Sequence, residues 1–178
     1  MLEASKQQFL LAVIAEISSA FADVSLGDGA TLHQARAIDD SESQEHRRAV
    51  RVNDSERHWR ELSDDKLCHF DDVFNFLDPK GWVFYIPAYM IWVLRHLDDK
   101  TGPHRGLESM AIYSITCRNE RSKLLSNEQG RAVCRFLLFL ACHDPSWREE
   151  AEDALNRCWG RFCLEGGKHS RDNEPRIT

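Results

Sequence analysis

The 178-residue chain has no Cys-x-x-Cys pair, no stretch of twenty apolar residues and no block of clustered lysine and arginine. Each absence excludes a class. Zinc knuckles and dithiol redox sites place two cysteines within one turn, so the six at 68, 117, 134, 142, 158 and 163 form no local ligand or redox pair. Scattered through apolar helical patterns, they read as six free, buried thiols of a cytoplasmic protein. A bilayer span needs about twenty apolar residues. The longest run, Trp82 to Leu94, has thirteen and is split by Pro87, so no membrane is expected. A net charge of −6 argues against nucleic acid, whose recognition depends on clustered cations.

What the chain does have is the composition of an ordinary globular domain, 42% hydrophobic and 29% charged. At this length folding buries roughly 70% of the unfolded surface, enough for a core without staples. The acidity is local. Asp39 to Lys80 holds twelve acidic and seven basic side chains, a balance of −5, and leaves −1 for everything else. Such a segment is either a solvated face or a surface for a basic protein partner.

Apolar spacing and caps predict a mainly α fold: a single-domain irregular bundle of about five to seven helices over 1–167, with a polar tail at 168–178. Leu10, Val13, Ile14, Ile17 and Phe21 recur at helical spacing, which favours an amphipathic first helix over a secretory leader. Thr31 with Gln34 and Ser126 with Gln129 have the form of capping boxes, and Ser63 before Asp64 and Asp65 marks another start. "DPKG" at 78–81 reads as a turn, 82–86 as extended or irregular, and Pro87 as the first position of a central core helix. Asp144 and Pro145 read as the cap and first position of the last helix, ended by Gly166 and Gly167. The run Met110 to Cys117 is left open by its periodicity, so one short β element near 109–117 stands beside a helix.

Chemistry is sparse. Cys158 and Cys163, five residues apart, point about 140° apart on a helix, and no other Cys or His pair has ligand spacing, so no metal is expected. "GGKHS" at 166–170 has Phe162 where a phosphate loop requires glycine, so no nucleotide cofactor follows. No catalytic residue can be assigned. His58, His96 and His104 could each meet a carboxylate, but a catalytic pair is a matter of geometry. Asp78 reads as a turn or cap residue, and Trp59 as an anchor of a polar segment. Asp39 and Asp40 end a helix at its negative pole, a local conflict that hints at a site. The weak binding candidates are therefore Asp39, Asp40, His58, Trp59 and Asp78.

Five segments, "FADVSLGDGATLHQARAIDD", "HWRELSDDKL", "FLDPKGWVFYIPAYMIWVL", "KLLSNEQGRAVCRFLLFLA" and "AEDALNRCW", together resemble an uncharacterised bacterial family, domain of unknown function 6714. They cover about half of the chain, in order. The resemblance implies a small, mainly helical bacterial protein and carries no activity, cofactor or site residue. The expectation is a non-enzymatic interaction protein of immunity or accessory type, meeting a basic partner through 39–80. The alternative is a small hydrolase or metal-dependent enzyme with dispersed His and Asp residues.

Overall fold

Local capping decides where most helices begin. The computed structural model describes residues 2–98, 105–116 and 119–164, and among them no strand occurs. The helices are α1 Leu2–Ala20, α2 Leu32–Asp39, α3 Gln44–Ala49, α4 Asp64–His69, α5 Pro79–His96, α6 Arg105–Thr116, α7 Asn127–His143, α8 Arg148–Ala154 and α9 Gly160–Leu164. A π-helical turn, Leu155–Trp159, joins α8 to α9 without a break, so these segments make eight rods. The Gly160 N–H reaches the Leu155 carbonyl five residues back, and a Cβ on Gly160 would lie 2.7 Å from that oxygen.

Both expected capping boxes form, at Thr31 with Gln34 and at Ser126 with Gln129, and Ser63 accepts from the Lys66 amide. α1 lies against α5 and α7, α6 between α5 and α8, and α7 against the whole α8 to α9 rod. Val13, Ile17 and Phe21 of the first amphipathic pattern are fully buried. α2 packs against α3 and against short 3-10 turns at Val50–Asn53 and Val73–Asn75, and a further turn at Trp59–Glu61 lies against α5. One hydrophobic cluster runs through these elements except α3 and the 50–53 turn, which contribute no buried residue.

Several expectations are corrected. "DPKG" is no turn and 82–86 is not extended: α5 begins at Pro79 and runs through Pro87 to His96. Pro87 cannot donate to the Val83 carbonyl, at a cost of about 3 kcal/mol. Burial wins, because thirteen residues of this helix, Trp82 and Phe84 among them, are buried, and each large side chain contributes about 1.5–3 kcal/mol. Gly81 is needed for close approach instead: a Cβ there would stand 2.5 Å from the Ala30 carbonyl oxygen.

The run at 109–117 is helical as far as Thr116, since Leu107, Ala111, Ile112 and Ile115 share one fully buried face. α4, opened by Ser63 as expected, ends at His69, before the 3-10 turn at Val73–Asn75. Asp144 closes α7 rather than opening the next helix, which starts at Arg148 behind Trp147. The cysteines are not all free. Cys134 of α7 and Cys163 of α9 form a disulfide with Cα atoms 6.1 Å apart, while Cys68, Cys142 and Cys158 form no disulfide among the described residues. The sequence hid this pair because its members stand 29 residues apart on facing helices. Cys117, His104, the glycines at 166 and 167 and the tail at 168–178 lie outside the described residues.

Candidate functional site

His58 and Trp59 sit where α1 ends. A helix leaves its last carbonyls without partners, and three consecutive side chains take up carbonyls there. The Trp59 indole N–H donates to the Phe21 carbonyl at 2.8 Å, and Trp59 is buried. His58 Nδ1 accepts from the Arg60 amide, so its Nε2 carries the proton and donates to the Ala22 carbonyl at 2.8 Å. The Arg60 guanidinium bonds the Ser18 carbonyl, a cation at the negative pole of the helix.

Asp78 does two jobs with one oxygen. Its Oδ1 accepts from the Gly81 amide at 2.7 Å, capping α5, and from the Ala30 amide at 3.0 Å, tying down the loop before α2. Lys80 and Asp28 pair alongside.

The conflict at the end of α2 is relieved by Arg36. Its guanidinium donates to both oxygens of Asp72 and lies 3.7 Å from Asp39, and the bonds to Asp72 raise its pKa. Asp40 is exposed and closes the helix through its backbone amide. The five candidates thus lie in three places and form no common site.

The densest polar cluster was missed by sequence reasoning. Asp54, its side chain 1% exposed, accepts from the His33 amide at 3.0 Å, from His33 Nδ1 at 2.9 Å, from Lys66 Nζ at 2.7 Å and from the Thr31 hydroxyl. Lys66 also pairs with Glu56 at 2.6 Å. Burial pushes the Asp54 carboxyl up, but the bonds from Lys66, Thr31 and His33 outweigh it and hold the group below the usual carboxylate range. Burial lowers Lys66, and its two carboxylate partners more than restore it, so its pKa is raised. Tyr85, beneath this cluster, is raised by burial and by Asp54. The only sequence signal was Thr31 as a cap. The carboxylate, the histidine and the lysine come from separate elements.

A groove of about 180 Å³ lies beside α4. Trp59, Leu67, Ala88, Ile91 and Trp92 supply its apolar walls, and Arg60, Arg95 and Asp64 stand among its polar lining. His96 stacks on Trp92, with ring centres 4.2 Å apart, and its Nε2 lies 3.9 Å from Asp64. On the same helix the Cys68 thiol is pushed up by burial and then by Asp64, Asp65 and Asp71. Among the described residues no group of three or more His, Cys, Asp or Glu side chains could hold a metal, and no helix is long and apolar enough to cross a membrane.

Together these features define a mainly α-helical protein with a polar flank, built by α2 to α4, against a central apolar helix. The chain belongs to the family of unknown function DUF6714, whose model matches residues 10–161. No curated protein and no solved structure matches it.

Proposed function

We propose that this is a non-enzymatic interaction protein, of immunity or accessory type, that meets a basic protein partner through the acidic 39–80 region. The carrying observation is which charges of that region remain after internal pairing. Arg36 offsets Asp39 and Asp72, and Lys66 offsets Asp54 and Glu56. Asp64, Asp65 and Asp71 are left around α4 with no Lys or Arg salt bridge among the described residues, and all three act on the Cys68 thiol. Three carboxylates converging on one short helix steer a basic surface and suppress acidic partners.

A titration with an oligolysine peptide tests this. Chemical-shift changes should centre on α4, weaken with salt over the range in which exposed charges are screened, and vanish when Asp64, Asp65 and Asp71 are changed to Lys. Changes that persist in that variant overturn the reading. The proposal includes a bacterial, cytoplasmic setting without nucleic acid. Support for the cytoplasm is that Cys68, Cys142 and Cys158 form no disulfide among the described residues; the Cys134–Cys163 bond counts against it.

One observation favours a second reading, a small hydrolase. Asp54 holds His33 Nδ1 from a separate element and leaves Nε2 without a partner among the described residues, which is how a general base is oriented. Ester hydrolysis that is lost in His33→Ala, while the fold is kept, would support it; unchanged hydrolysis would remove it.

A further inference from the structure

We infer that the groove between α5 and α4 is a site for a small aromatic monocarboxylate, adjoining the acidic surface and sharing Asp64 with it. Trp59, Leu67, Ala88, Ile91 and Trp92, each less than one-tenth exposed, form the floor of this open groove, and polar groups make up most of its exposed lining. At about 180 Å³ this groove takes one ring and a short arm, not a drug-sized ligand.

The charges give the sign of that arm. Two guanidiniums, Arg60 and Arg95, share the lining with one carboxylate, Asp64, in a chain whose net charge is −6. Arg60 is committed to the Ser18 carbonyl and lies over the Trp59 ring. Arg95 is exposed and makes no ion pair or hydrogen bond among the described residues, so its fork is open to a carboxylate. Asp64 lies near the His96 ring and disfavours a second anionic group. One ring and one acid on a short arm satisfy all of these groups. The groove's size also favours a free acid over a protein segment, which would bring main chain on both sides of its side chain.

Phenylacetate is the probe, followed by ligand-observed NMR on the full chain. Saturable binding with a Kd of about 1 mM is expected for a molecule of this size. Arg95→Gln, at an exposed position, should weaken it about tenfold, and phenethylamine should bind about tenfold less tightly than phenylacetate. Asp65→Lys with Asp71→Lys should leave it unchanged, so this site and the oligolysine surface stand or fall separately. Absence of saturation, equal binding of phenethylamine, or indifference to Arg95→Gln overturns the inference. Tighter binding of a peptide ending in phenylalanine would overturn its assignment to a free acid.

Discussion

Phe162 of α9 lies so close over Gly130 of α7 that a Cβ on the glycine would come within 2.4 Å of its ring. Glycine is costly inside a helix, by about 1 kcal/mol against alanine, so the contact must be worth more than that. Gly130→Ala should gain the propensity and lose about 1–3 kcal/mol to overpacking, a net lowering of the melting temperature. In a Phe162→Ala background the same change should raise it. The reversal of sign between backgrounds, read from thermal unfolding, isolates this one contact.

The disulfide next to this contact is open to direct test. Titration of the denatured, unreduced protein should find two fewer thiols than the six of the reduced chain, the missing pair being Cys134 and Cys163. With the partners 29 positions apart in the chain, chain entropy gives a stabilisation of about 3–4 kcal/mol, lost in Cys163→Ser. Recovery of all six thiols without reductant would restore the free-thiol expectation.

Features set by a few neighbouring residues were legible in the sequence, and features set by distant ones were not. The caps at Thr31, Ser63, Asp78 and Ser126 each depend on a side chain and an amide three residues on, so local chemistry was enough. Pro87 was misread because its local signal, a helix start, is overridden by burial on both sides of it. His58 and Trp59 were noticed, but their carbonyl partners at Phe21 and Ala22 lie more than thirty residues away. Asp54 and His33 show the limit most plainly: neither stands out in its own segment, and their meaning exists only where α2, α4 and the 50–53 turn come together.

The apolar run of α5 behaves as core. Met90 is fully buried beside Tyr89, whose hydroxyl reaches the Phe70 carbonyl at 2.9 Å. Met90→Ala should cost about 2–5 kcal/mol through lost burial and a cavity, measured by urea unfolding. Met90→Lys places an unpaired ammonium there and should abolish soluble expression. A soluble Met90→Lys protein with an unchanged melting temperature would show that the stretch is not core.

The Asp54 cluster should make stability depend on pH at both ends of the scale. Asp54 is held below the usual carboxylate range in the folded state, so its contribution is present above the unfolded value of about 3.9 and is lost as pH falls through the lower folded value. Lys66 is raised, so its contribution is present below the unfolded value of about 10.4 and disappears as pH climbs through the higher folded one. Asp54→Asn keeps the size of the side chain and removes the charge. At pH 7 it leaves Lys66 with Glu56 alone, and breaking a buried pair of this kind costs about 3–5 kcal/mol. Urea unfolding of both proteins from pH 7 downward should therefore show a large gap at neutrality that begins to narrow below about pH 4, where the unfolded carboxyl takes up its proton, and closes at lower pH as the native one follows. A gap that stays constant across that range would mean that Asp54 acts through shape alone, and that the four donors around it do not hold a charge.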